Sequence, residues 1–141
     1  MPSAIIPTSA TKKINIGIIQ RSCDNNIDRN LDATIADIRK AAAEGANIIC
    51  LQELFKSTYF CCTEDYEKFS LAESIPGPST GQLQKVAKEH NVVIIVPVFE
   101  KVDAGVYFNS AAVIDADGSL LGTYRKNHIP DDPGFFKKFY F

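Results

Sequence analysis

The alternation of apolar and polar positions divides this chain into strands and helices of an α/β type. Ile14 to Gln20 is β-branched, alternates at first and then turns apolar on both sides, which suits a strand covered on at least one face. After a polar stretch, Leu31, Ile35, Ile38 and Ala42 recur at helical spacing with Arg29, Asp32, Asp37, Arg39 and Lys40 between them, the pattern of an amphipathic helix. Gly45 stands where a left-handed residue would end it. Ala46 to Leu51 reads as a second buried strand, completing a βαβ-like unit.

Further on, Ser79 and Gln82 match a capping box, and Leu83, Val86 and Ala87 mark the buried stripe of a second helix ending near His90. Val92 to Phe99 predicts a third strand, with Pro97 at its edge or end. Val106 to Ile114 and Ser119 to Arg125 flank the turn Asp115-Ala116-Asp117-Gly118 and predict a hairpin. Two stretches lack a period. Phe55 to Pro78 is irregular and aromatic, and a connection of that length points to function. His128 to Phe141 carries two prolines, one glycine and five aromatic residues and reads as loop. Its ending on three aromatics leads to the expectation that the chain stops short of a whole domain. Residues 1–12 are expected to form a loose tail, leaving 13–141 as one domain.

The 141 residues, 45% hydrophobic and 23% charged, fit a globular domain with its own core. A net charge of −2 gives no footprint for nucleic acid and no polybasic attraction to a membrane. No apolar run is long enough to span a bilayer, and the N-terminus lacks the basic region of a signal peptide. Cys23, Cys50, Cys61 and Cys62 do not have zinc-ligand spacing, and His90 and His128 lie far apart, so no metal is expected. Cys50 sits in an apolar run and is expected to be buried. Free thiols in a reducing cytoplasm fit these cysteines best.

Glu53 and Lys126 stand out as chemistry. Each follows an apolar strand and precedes a loop, where α/β folds place their clefts. The pair reads either as a carboxylate base with a cationic stabiliser or as a strand-end ion pair, and the local pattern leaves both open. Tyr59, Phe60 and His128 are candidate substrate contacts; for His128 the alternative is loop packing. Tyr107 and Phe108 suit a core or an interface.

Several segments, taken in order, resemble one family. Leu51-Gln52-Glu53-Leu54-Phe55 resembles the glutamate motif of the nitrilase superfamily of carbon–nitrogen hydrolases, and Tyr124-Arg125-Lys126-Asn127-His128-Ile129-Pro130 its lysine motif. Ser57 to Asp65, Ile75 to Thr80, Phe108-Asn109-Ser110-Ala111, Asp131-Asp132-Pro133-Gly134 and Lys138-Phe139-Tyr140-Phe141 resemble its N-carbamoylputrescine amidase branch. The resemblance implies an αββα sandwich, of which this chain supplies roughly the N-terminal half. It also implies a homo-oligomer, a small carbamoyl-amine or amide substrate and no cofactor. By position, Glu53 would be the general base and Lys126 the oxyanion stabiliser, partners of a cysteine nucleophile. That cysteine follows a later strand in the family, and this sequence ends first. Cys50, Cys61 and Cys62 read as packing or loop-lining residues rather than substitutes. The family commonly has another glutamate where Lys137 stands here. Either a cation replaces a functional carboxylate, or Lys137 is a surface residue and the match slips by one position.

Overall fold

The computed structural model describes residues 13–141; the expected tail, 1–12, lies outside the described residues. The elements are β1 (Ile16–Ile19), α1 (Ile27–Ala43), β2 (Ile48–Leu51), a 3-10 helix (Tyr66–Leu71), α2 (Pro78–His90), β3 (Val93–Asp103), β4 (Val106–Ile114), β5 (Leu120–Arg125) and a last short helix, α3 (Lys137–Tyr140). The strands form one sheet in chain order. β1, β2 and β3 run parallel; β3, β4 and β5 run antiparallel.

Side-chain alternation gives the sheet two unlike faces. α1 lies over β1 and β2, and α2 over β3 and β4. Beneath them Ile49, Leu51, Ile94, Val96, Val98, Ala112 and Ile114 pack with Leu31, Ile38, Leu83, Val86 and Ala87 as the main core. On the opposite face Ile16 and Ile18 are 66% and 76% exposed. They are continued through the strand register by Ile48, Cys50, Ile95 and Val113. Nothing among the described residues covers that apolar face where β1 crosses it. Cys50 is therefore only half-buried, contrary to expectation, because its alternation points it away from the helices.

Local chemistry explains the element ends. Asn26 caps α1, its side chain accepting from the Arg29 N–H at 3.0 Å, and Gly45 (φ 91°) follows the helix. α2 begins differently from the Ser79–Gln82 box expected. Gly77 is its N-cap and donates its N–H to Thr80 Oγ1 at 2.7 Å, while the Ser79 N–H is taken by Glu73 Oε2 at 2.8 Å. Pro97 does not end β3. The β2 ladder stops at Ile95 and the Glu73 bridge begins only at Phe99, so at Pro97 β3 pairs with β4 alone and forms an edge where a missing N–H is tolerated. Gly118 (φ 86°) closes the β4–β5 hairpin; a Cβ there would lie 2.6 Å from the Gln84 carbonyl.

The C-terminal stretch is not plain loop. Tyr140 is 2% exposed and joins Leu54, Phe60, Cys61 and Phe99 in a second core. Its hydroxyl donates to Thr63 O at 2.6 Å and accepts from the Asp65 N–H at 3.0 Å. The aromatic residues thus tie α3 to the long loop after β2.

The two faces should answer differently to mutation. Leu83→Ala, in the covered core, is expected to cost about 2–5 kcal/mol by urea unfolding. Ile18→Ala, on the uncovered face, should cost under about 1 kcal/mol, since little area leaves water there on folding.

Candidate active site

The site forms beyond the ends of β2, β4 and β5. β2 stops at Leu51, and Leu54 takes a left-handed backbone (φ 52°) although it is not glycine. That conformation costs on the order of 1 kcal/mol or more and is held by burial of the Leu54 side chain in the second core. The turn carries Glu53 toward β4. Lys126 follows β5 directly, and its backbone N–H donates to Asn109 O at 2.8 Å, extending the β4–β5 ladder by one bond. α3 brings in Lys137, and the Phe136 N–H beside it donates to Cys61 O at 2.7 Å.

Glu53 lies at the centre. Its Oε1 accepts from Asn109 Nδ2 at 2.7 Å and from Lys126 Nζ at 3.3 Å. Its Oε2 lies 3.8 Å from Lys137 Nζ. The side chains of Glu53 and Lys126 are 39% and 36% exposed, whereas Lys137 is 14% exposed. Lys137 is thus no surface residue: it completes a group of one carboxylate and two ammoniums. Burial pushes the Glu53 pKa up, but the Asn109 amide and the two lysines outweigh it, and the net shift is downward. Glu53 is therefore an anion at neutral pH.

The other expected contacts divide. Tyr59 belongs to the site: its ring faces Lys137 Nζ at 5.6 Å, and burial, followed by Cys61 and Glu53, raises its pKa and keeps it a phenol. Phe60 is a residue of the second core. It is 5% exposed and packs on Phe99 and Tyr140, with ring centroids 5.2 and 4.9 Å away. His128 is exposed and contacts none of the Glu53 group by hydrogen bond or ion pair. Cys61 is fully buried, and desolvation pushes its thiol up to about 11, so it is no thiolate at neutral pH. All four cysteines are free. Among the described residues no three His, Cys, Asp or Glu side chains gather as a metal site. Asn109 received no role from the sequence, although the polar pair Asn109-Ser110 inside a largely apolar strand was a signal.

Comparisons with known proteins bear on the family and the fold. The Carbon-nitrogen hydrolase family model matches residues 15–141. The chain belongs to the carbon–nitrogen hydrolases. It is 44% identical over 131 residues to an N-carbamoylputrescine amidase of Arabidopsis thaliana, covering 92% of this chain and 44% of that protein. A citrullinase of Francisella tularensis is 40% identical over 129 residues, covering 91% of this chain and 45% of its own length. The crystal structure of a carbon–nitrogen hydrolase from Helicobacter pylori superposes with a TM-score of 0.84 at 36% identity, covering 91% of this chain and 44% of that one. An amidase from Nesterenkonia sp., at 17% identity and TM-score 0.74, shares the fold. The chain thus spans less than half the length of these curated relatives. Within this carbon–nitrogen hydrolase fold it supplies one mixed sheet and the helices on one face.

A carboxylate whose folded pKa lies below its unfolded value contributes stability that is complete above the unfolded pKa and lost as pH falls through the folded one. Glu53 should behave so. Lys126→Met and Lys137→Met are each expected to raise its titration midpoint, read by carbon-13 NMR of the carboxyl group. The acid limb of unfolding should start at higher pH in both variants.

Proposed function

We propose that this chain supplies the base and the oxyanion stabiliser of a cysteine-dependent amidase acting on small carbamoyl-amines or amides. The observation that carries the reading is the convergence of Glu53 and Lys126, 73 residues apart in sequence, to 3.3 Å at the end of the sheet. In this reading the nucleophile is a cysteine outside residues 1–141. Glu53 takes its thiol proton while the sulfur bonds to the carbonyl carbon. Lys126 stabilises the oxyanion of the tetrahedral adduct with a fixed charge that needs no reorganisation. The nitrogen leaving group departs with the proton from Glu53, which then activates water to release the acyl group. Tyr59 is the aromatic contact beside the reacting group. Phe60 acts through packing, and His128 is left without a role.

Among substrates we favour N-carbamoylputrescine, which yields putrescine, ammonia and carbon dioxide. The plant relatives named for it share 43–44% of their matched residues with this chain. Relatives named citrullinase, beta-ureidopropionase and omega-amidase make ureido acids and ω-amides the competing classes. Such an enzyme would need no cofactor and would work in the cytoplasm as a homo-oligomer. No helix among the described residues is long and apolar enough to cross a membrane.

The test is ammonia release from N-carbamoylputrescine by the complete gene product containing this chain, with citrulline and N-carbamoyl-β-alanine in parallel. Glu53→Gln and Lys126→Met should each lower kcat by about 10²–10⁴-fold. Undiminished turnover in either variant would overturn its assigned role, and no turnover of N-carbamoylputrescine would overturn the substrate.

A second reading, a self-associating module without turnover, is favoured by the uncovered face around Ile16 and Ile18. An apolar patch of this kind draws a partner. Sedimentation of residues 1–141 should show self-association that Ile18→Lys weakens; a monomer before and after the substitution would sink this reading.

A further inference from the structure

Glu53 and Lys126 both stand on loops, which are the mobile parts of most folds. Asn109 instead lies inside β4, paired with Phe99 on β3 and next to the Ser110–Arg125 pair on β5. It is 7% exposed. Its side chain and its backbone each hold one of the two loop residues. Nδ2 stands 2.7 Å from Glu53 Oε1, and the carbonyl accepts the Lys126 N–H at 2.8 Å. A carboxylate cannot donate, so the amide nitrogen must be the group facing it.

We propose that Asn109 positions both groups of the candidate site at once, clamping Glu53 by its amide and Lys126 by its carbonyl, so that Oε2 is the oxygen that accepts the proton. The last part rests on the reading of Glu53 as the base. Oε1 receives two donors, Asn109 and Lys126, at 2.7 and 3.3 Å, which uses its in-plane lone pairs. Oε2 has Lys137 at 3.8 Å, an ion pair beyond hydrogen-bond length. An incoming thiol or water proton therefore has an open acceptor at Oε2 alone. The same side of β4 carries Ala111 and Val113, so a space-filling role could have been met by an apolar residue. A buried amide there is costly unless it is paired, and its partner is the carboxylate.

Asn109→Asp keeps the shape and turns the donor into an acceptor, whereas Asn109→Ala removes both. The readouts, on the 141-residue chain, are the Glu53 titration midpoint by carbon-13 NMR and hydrogen exchange of the Lys126 amide. Both variants should raise the midpoint, Asn109→Asp by more, because it sets a second carboxylate against Glu53. The Lys126 amide should stay protected, since its acceptor is main chain. An unmoved midpoint with the amide still protected would overturn the clamp. Should Asn109→Ala fail to fold, the isosteric Asn109→Asp alone decides on the same terms. In the complete gene product Asn109→Ala should lower kcat more than it raises KM and move the acid limb of the pH–rate profile upward. These readouts separate the two ideas: raised midpoints together with an active Glu53→Gln enzyme would sink the functional reading and leave the clamp standing.

Discussion

Glu53 is the point at which three distant stretches of the chain meet. Its carboxylate bonds to Asn109 and Lys126 through one oxygen and pairs with Lys137 through the other. The turn after β2, the end of the β4–β5 hairpin and the short helix α3 share that single anion. Its removal would leave two ammoniums facing each other, Lys137 among them at 14% exposure. Like charges in a partly desolvated place repel more strongly than in water. The geometry on either side is correspondingly firm. Leu54 is held in a strained turn by its buried side chain, and Tyr140 pins α3 by two hydrogen bonds.

That meeting point belongs to the side of the sheet that faces away from α1 and α2. Two-residue alternation puts Asn109 on the same side of β4 as Ala111 and Val113, away from α1 and α2. The helix-covered face is closed and apolar through most of its length. Where it runs out past α2 it becomes polar instead: Glu100 takes two bonds from Arg125, at 2.9 and 2.8 Å, and one from Ser110. The same end of the β4–β5 hairpin therefore carries two different ion pairs, one on each face of the sheet. The Glu100–Arg125 pair is bidentate with its acid buried, and suits a structural role. The Glu53–Lys126 pair is looser, at 3.3 Å, and partly exposed on the other face, which suits chemistry.

Much of this was legible in the sequence, and the exceptions share a cause. Regular period gave α1, α2 and every strand within a few residues, because one-sided burial imposes that period. Glu53 and Lys126 could be paired in advance because both sit at strand ends. What periodicity could not supply were contacts decided by partners far along the chain. Phe60 is core because Tyr140 packs on it, Thr80 rather than Gln82 completes the α2 cap because Glu73 already claims the Ser79 N–H, and Lys137 is inside because Tyr140 anchors α3. Of the two readings of Pro97, edge or end, the edge holds: a proline forbids a paired N–H, not a strand, and β2 is too short to need that N–H.

The lowered pKa of Glu53 is an argument against a general base, since two ammoniums and an amide all oppose its protonation. The objection weakens once charge is followed through the step. In the proposed mechanism a thiol would give its proton to Glu53, and the negative charge would not be lost; it would move from carboxylate to sulfur and then to the carbonyl oxygen. Ammoniums that favour the carboxylate also favour those later anions, provided the reacting atoms lie within the same few ångströms. Under that mechanism Lys126 and Lys137 would stabilise both ends of the transfer, and the barrier would depend on the difference between the two positions. The second cation, Lys137, strengthens the field for every anion beside Glu53. Whether catalysis gains follows from where the sulfur stands relative to Oε2, a matter of distance before acidity.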